Sequence, residues 1–531
     1  MTAAARSRDH AENEAPAEPL PPPAFTPVPH RGLITVSIMA ATVMQALDST
    51  IANVALPHMQ GSLAATSDTI TWVLTSYIIA AAIMTPTAGW LTGRFGRKRV
   101  FLISVAGFTI ASMLCGIAST LTEIVLYRLL QGVFGAALVP LSQSVLLDIN
   151  PREKHGSAMA IWGAGIMVGP ILGPMLGGWL TETYNWRWVF FINLPIGVAA
   201  FFGIWSFVRE TGRDRDRPFD LFGFAMLSLG VGSLQMMLDR GELKDWFSST
   251  EIIIEAGLAA AGLWMFLMHS LTCERPFIRP ALFKDRNFVA GLGFIFMVGV
   301  IMLATLALLP PMLQDLMEYP VVTTGMVVAP RGFGTMVVMI IAGRLVNRID
   351  GRIFMAAGLC LTSFSLWQMT SYSLLMGEST VIWSGLVQGV GLGLIFVPLS
   401  ALTFSTLPPE YRTEAAGIFS LMRNVGGSIG ISAVETFLTR NVQVNHADLA
   451  ERITPFNRAL HFPILDKYWN LHSAAGLASL DHEITRQASM LAYIDDFKLM
   501  EFVTLIALPL VMLLRKPKLT AHAAEPAGAL E

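Results

Sequence analysis

Gln131–Ser142, reading QGVFGAALVPLS, returns later in the chain as Gln388–Ser400, QGVGLGLIFVPLS. Two more matches keep the same order. Gly89-Trp90-Leu91 ahead of Arg94 returns as Gly343-Arg344-Leu345 ahead of Arg348, and the loop from Pro151 to Ala158 is echoed from Pro409 to Ala416. The offsets stay between 254 and 258 residues. Each match is short, but their order and common offset mark an internal duplication.

The composition says where the duplicated unit resides. Of 531 residues 53% are hydrophobic and 14% charged, and the mean hydropathy is +0.56. A soluble chain carries about 25% charged residues. Runs long enough to cross the hydrocarbon core fall near 33–56, 70–91, 100–119, 123–147, 157–180, 190–208, 219–238, 251–270, 288–309, 322–346, 353–372, 380–405, 415–438 and 497–514. The expected fold class is thus an all-α polytopic membrane protein with fourteen transmembrane helices. The repeat sets spans 1–6 against spans 9–14 and leaves spans 7 and 8 as an insertion. The chain divides into a disordered tail (1–31), a first six-helix repeat (32–209), two inserted helices with linkers (210–286), a second six-helix repeat (287–515) and a short tail (516–531).

An even number of spans puts both termini on one side. With the N-terminus inside, the internal loops hold eighteen Lys and Arg, from Arg94 in the first to Arg412 in the last, against Arg187, Arg240 and Lys244 in the short outer loops. The positive-inside rule makes both termini cytoplasmic. Segment 439–495 is then the one long polar excursion outside. Its latter part, Leu480 to Phe497, has apolar residues at helical spacing, an amphipathic lead-in to span 14 suited to packing on the bundle or on a partner. The N-terminal 31 residues lack the apolar core and cleavage site of a signal peptide.

Charges within the spans mark candidate sites. Asp48 lies about two-thirds of the way along the first span. Counting about 1.5 Å per residue, Arg128 in the fourth span falls at a similar level, so the two can meet. A carboxylate there can carry a proton, and a nearby guanidinium can control its release. Arg331 and Arg423 are mid-span in the second repeat, where Gln143, Gln388 and Asn424 can add hydrogen bonds along a substrate cavity. Two parallel repeats place such a path between the halves, near the midplane. Gly89, Arg94, Gly96, Arg97 and Lys98 lie in GWLTGRFGRKR (Gly89–Arg99), a tight basic turn able to latch an inner gate onto helix C-termini or acids of the other half.

The fifth span, Trp162–Trp179, reads WGAGIMVGPILGPMLGGW. Gly165, Gly169, Gly173 and Gly177, with Gly178 beside them, form a nearly bare helical stripe interrupted by Pro170 and Pro174. Such a stripe lets a second helix approach closely. Aligned on the repeat, Gly165 and Pro170 fall on Arg423 and Ser428, so the stripe belongs to the first half alone; we read it as a face packed against the other half.

No phosphate-binding GxxxxGK[ST], HExxH or GxSxG is present, and Cys115, Cys273 and Cys360 are scattered. Enzymatic chemistry, a metal site, a cofactor and nucleic acid are therefore not expected.

With these residues assembled, positions 32–515 resemble the fourteen-span drug:proton antiporters of the major facilitator superfamily, the EmrB/QacA type. The resemblance rests on LDSTIANVALP (Leu47–Pro57), GWLTGRFGRKR, RLLQGVFGAA (Arg128–Ala137) and the fifth span. It implies Asp48 as proton carrier, Arg128 as its partner and Gly165–Gly178 as the antiporter helix. The family's acidic residue is replaced here by Gly93. The outer segment is similar to that of EmrB-like members, which implies a bacterial inner membrane, a periplasmic EmrA-like adaptor and an outer-membrane channel. Proton-coupled export of amphipathic drug-like compounds is the expected function, the alternative being a proton symporter importing a sugar or organic acid.

Overall fold

A computed structural model of the chain describes residues 28–210, 212, 218–346, 348–454, 469 and 473–514. The expected tails, apart from residues 28–31, three of the loop arginines (Arg213, Arg215 and Arg217) and the middle of segment 439–495 lie outside the described residues.

Among the described residues fourteen long helices form, each where an apolar run was expected. The first half comprises α1 Arg31–Ser62, α2 Trp72–Phe95, α3 Arg97–Ile117, α4 Leu121–Asp148, α5 His155–Thr183 and α6 Trp188–Phe207. Then come α7 Leu221–Arg240 and α8 Thr250–Thr272. The second half comprises α9 Arg286–Leu316, α10 Val321–Leu345, α11 Gly351–Met369, α12 Glu378–Ser405, α13 Arg412–Glu451 and α14 Ala474–Leu510. Eleven are long and apolar enough to cross a membrane by length and composition alone. The other three, α11, α13 and α14, carry more polar positions, among them Thr362, Ser363, Arg423, Asn424 and Asp496. Helices enclosed by other helices tolerate such residues where lipid-facing ones do not.

Breaks in the helices trace to proline. Residues 136 and 137 of α4 form a turn, because Pro140 has no N–H for the carbonyl four residues back. Pro86 lies in the 3-10 turn Thr85–Thr87 of α2. Beyond Pro310 and Pro311, α9 ends in a π turn, Met312–Leu316.

Packing explains why the duplicated sequence survives. In the first half α1 lies on α5 and α6, α4 lies on α2 and α3, and α3 on α6; in the second, α9 lies on α13, α12 on α10 and α11, and α11 on α14. Gly132 and Gly389 of the repeated Gln-Gly pair hold the corresponding places. A methyl on Gly132 would meet the carbonyl oxygen of Tyr77, and one on Gly389 the carbonyl oxygen of Arg331. Only glycine permits that backbone approach.

The halves meet along two seams. α5 lies against α10 from Gly156, near Val346, to Gly178, whose Cβ position is 3.7 Å from Val321. On the second seam α2 meets α13 at the basic end, the end where the Arg- and Lys-rich loops gather. Toward the opposite end α7 stands between them. Asp239 of α7 accepts from Thr75 of α2, and Gln235 donates to Ser428 of α13 at 2.8 Å. The inserted pair is therefore more than an appendage, since α7 ties one half to the other.

The flanks of segment 439–495 are helical: α13 runs on without a proline to Glu451, and α14 starts at Ala474 and leads into the span, as the spacing from Leu480 to Phe497 suggested.

Candidate functional site

Asp48 and Arg128 are at one level and joined. The Arg128 Nη1 donates to Asp48 Oδ2 at 2.7 Å, with the two side chains 1% and 0% exposed. Two amides complete the carboxylate: Gln131 Nε2 and Asn193 Nδ2 both donate to Oδ1 at 2.8 Å. Asn193 also donates to Ser112 Oγ at 2.9 Å, which in turn donates to the Phe190 carbonyl at 2.9 Å. Arg128 is held in place from three directions. Its Nε donates to the Val73 carbonyl at 3.0 Å, its Nη1 also donates to Gln131 Oε1 at 2.8 Å, and its guanidinium carbon stands 4.4 Å from the Tyr77 ring centre. Gln45 donates to the Tyr77 hydroxyl at 3.0 Å.

A buried ion pair compensates its desolvation only when its remaining donors and acceptors are satisfied. This pair meets that condition through α1, α2, α4 and α6 together. Removing one partner would leave a naked charge, at a cost of roughly 3–5 kcal/mol. The arrangement gives the carboxylate a cation on one oxygen and two amide donors on the other. Asn193 and Ser112 escaped the sequence reading. An asparagine inside the run Phe190–Ile196 is itself an intramembrane polar group, and that signal was available.

The glycine stripe of α5 corrects the sequence reading. Its neighbour is α1 of the same half. A Cβ on Gly169 would strike the carbonyl of Ala46, and one on Gly173 the side chain of Thr50. Gly165 faces Met39, and Gly177 faces Ile51 at 3.0 Å. Thr50 Oγ1 donates to the Gly169 carbonyl at 3.0 Å, two residues from Asp48. The faces turned to the second half carry other residues: Gly163 lies on Met339 and Phe396, Ile171 on Gly332, and Pro174 near Gly325. Trp162 stacks on Phe396 of α12 at 5.9 Å while its Nε1 donates to Ser142 at 2.9 Å. Glycine spacing gives the need for a close neighbour, not its identity. α5 therefore touches the helix of Asp48 on one side and the opposing half on the other.

The basic end is joined by ions. Asp148, at the end of α4, pairs with Arg97 of its own half and with Arg412 Nη1 of the second half at 2.7 Å. Ser144 and Thr413 share a hydrogen bond of 2.7 Å. Glu414 accepts from the Arg279 backbone N–H at 2.8 Å, and Gly89 leaves room for Glu414, whose Cα would be 2.8 Å from an added Cβ. The acid serving Arg97 is thus Asp148, which then reaches across. Lys98 donates to the Trp205 carbonyl at 2.5 Å, and Gly96 adopts φ 93° beneath the Glu210 carboxylate. Among the described residues Arg94 makes no ion pair.

The cavity candidates separate. Gln143 and Gln388 are 0% exposed and so border no open space; Gln143 Nε2 is 3.8 Å from Met159 Sδ, and Gln388 donates to Thr305 at 3.4 Å. Arg331 is buried, its Nη2 donating to the Met302 carbonyl at 3.1 Å while its Nη1 has no partner. Arg423 and Asn424 keep part of their surface accessible, and among the described residues Arg423 makes no ion pair.

Comparisons with known proteins agree with this architecture. Residues 38–431 match the family model described as Major Facilitator Superfamily. The chain is 36% identical over 491 residues to the multidrug export protein EmrB of Escherichia coli (strain K12), covering 91% of this chain and 95% of that one. It is equally 36% identical to the fatty acid resistance protein FarB of Neisseria gonorrhoeae, over 91% of this chain and 96% of the other. Among solved structures, the proton:xylose symporter XylE superposes with a TM-score of 0.58 at 13% identity, over 90% of this chain and 96% of its own, a likeness of fold alone. Family match, relatives and superposition leave one conclusion: the chain belongs to the major facilitator superfamily.

Proposed function

We propose that this protein is a proton-driven multidrug exporter that moves amphipathic compounds out of the cytoplasm in exchange for protons. The observation that carries the proposal is the enclosed Asp48–Arg128 pair together with its attachment, through Thr50, to the glycine stripe of α5. Rocking of one half on the other has to displace α5 against α10. Because α5 and α1 touch backbone to backbone, such a displacement reaches Asp48 with little slack. In the state described here the carboxylate is ligated by a cation and two amides, the form suited to having released its proton inward. Movement that withdraws Arg128 leaves a buried carboxylate that takes up a proton. To Arg423 and Asn424, which keep part of their surface accessible, we assign contact with substrate in the space between the halves. The names of the relatives, multidrug export and fatty acid resistance proteins, supply the substrate class.

The same reading makes the basic end cytoplasmic and the membrane a bacterial inner membrane, with both termini inside. The projecting parts of α13 and α14 then stand outside, where a periplasmic adaptor leading to an outer-membrane channel would dock. Residues 32–209 and 287–515 are the two moving units, with 210–286 as the inserted pair.

The test is transport in everted vesicles loaded with a weak-base dye. A respiration-driven pH gradient quenches the dye, and adding an exported compound should restore fluorescence in wild type and not in Asp48→Asn. Equal recovery in the variant would remove Asp48 from the mechanism. Import by symport predicts no such recovery.

A further inference from the structure

The second half holds a buried acid that the exchange above does not use. Asp496 in α14 is 0% exposed, and neither carboxylate oxygen has a hydrogen-bond partner. Its place in the fold is informative. Asp496 stands fourteen residues before Leu510, the end of α14, and Asn193 stands fourteen before Phe207, the end of α6. These are the sixth helices of the two halves, so Asp496 occupies the level of the amide that serves Asp48. On the first helices the roles are reversed. Thr305 of α9, 257 residues after Asp48 and within the repeat offset, accepts from Gln388 just as Asp48 accepts from Gln131. Among the described residues, each half thus contains one acid at 0% exposure, on its first helix in one case and on its sixth in the other.

The surroundings differ sharply. Tyr493, Phe497 and Met500 on either side of Asp496 belong to an apolar cluster with Met312, Leu313 and Leu366. The charged and titratable groups nearby offer no counter-ion. Asp495 is engaged with Lys498 at 3.0 Å, and Arg486, farther up α14, donates to the Leu316 carbonyl and to Glu483. α9 supplies Asp315, and α13 presents apolar Val434 and Leu438 to the cluster. Beyond α11, Tyr372 is bonded to Ser384 and sets its ring 5.7 Å from that of Phe497. An ionised carboxylate enclosed without donor or cation is costly, whereas the protonated acid is an ordinary polar group. One cation in this half is itself incompletely paired: Arg331 of α10, whose Nη1 is buried without a partner. Arg331 follows Tyr77, the residue lying over Arg128, by 254 residues, within the repeat offset.

We propose that Asp496 is a second proton-binding site, loaded in the state described here, and that it gives its proton to water when movement of α10 brings Arg331 toward it. The O–H bond of the acid breaks, the proton leaves as hydronium, and the carboxylate is retained by the guanidinium. This inference rests on the proton-driven reading of the fold.

Infrared spectroscopy of the full-length protein in lipid at neutral pH tests it without any substrate. Wild type should show a protonated-carboxyl C=O band that Asp496→Asn loses, Asp496→Glu moves in frequency and Asp48→Asn retains. In D2O that band should shift to lower frequency as the acid exchanges, and Arg331→Gln should slow the shift. A spectrum that Asp496→Asn and Asp496→Glu both leave unchanged overturns the loaded site, and a band that never shifts in D2O overturns its exchange. Loss of substrate-dependent dye recovery with this band and its exchange intact would instead strike the export reading and leave the site standing.

Discussion

The two halves share a fold and differ in what their first and fourth helices enclose. In the first half α1 offers Asp48 and α4 offers Arg128, and Gln131 bridges them. In the second, the same levels hold Thr305 of α9 and Gly385 of α12, and Gln388 makes a single neutral contact at 3.4 Å. The fifth helices are alike in this respect: Gly169 of α5 lies on the Ala46 carbonyl of α1, and Gly426 and Gly430 of α13 lie on the Phe296 and Val300 carbonyls of α9, while Gly427 faces the flexible end of Leu303. Duplication thus supplied a symmetric frame with close fifth-helix contacts in both halves, and the enclosed Asp48–Arg128 pair has its counterpart in a neutral Thr305 and Gly385.

That asymmetry can be broken experimentally. Asp48→Asn should lower pH-driven export by two orders of magnitude or more, on the order of what loss of a proton-transferring group costs, while Thr305→Val should leave export rates in vesicles near wild type. Next, Gly169→Ala should reduce export about tenfold, because overpacking against backbone costs roughly 1–3 kcal/mol. Gly427→Ala, where the Leu303 side chain can turn aside, should cost far less in the same assay. Asp148→Ala removes the acid shared by Arg97 and Arg412; a lost hydrogen bond to a charged group is worth about 1.5–3 kcal/mol. Spin labels at the basic ends of α2 and α13 should report a wider distribution of distances. The smallest effect belongs to Gln388→Leu, at about 1 kcal/mol or less for one long neutral bond, read as a slight fall in melting temperature in detergent.

The frame was legible because its constraints act on the backbone. Gly132 and Gly389 are needed wherever two helices touch carbonyl to Cα, so the repeat persisted in sequence. Asp48 and Arg128 could be matched in depth since helical rise is constant. Directions around a helix axis were not legible. The stripe of α5 announced a close neighbour and left open which, and α1 of the same half took that place. Asp148 carried no signal in the sequence; its bridging role arises only when α4 and α13 converge. Segment 439–495 read as a polar excursion with a lead-in to the last span; the extension of α13 to Glu451 was not legible, because a helix emerging from a bundle loses its apolar signature while keeping its hydrogen bonds. Asp496 sat in that boundary and gave no hint of its burial.

One consequence concerns leverage. α13 has 40 residues and no internal proline, so at about 1.5 Å per residue it is a continuous rod of about 60 Å, twice the usual hydrocarbon thickness. Arg412 and Glu414 sit at its foot, within the ionic junction of the two halves, and Arg423 and Asn424 about a quarter of the way up. A rod that long behaves as a single beam. Tilting it by about ten degrees at the foot sweeps its far end through ~10 Å, so the state of the junction is broadcast as a large displacement at the opposite surface without any relay of small contacts.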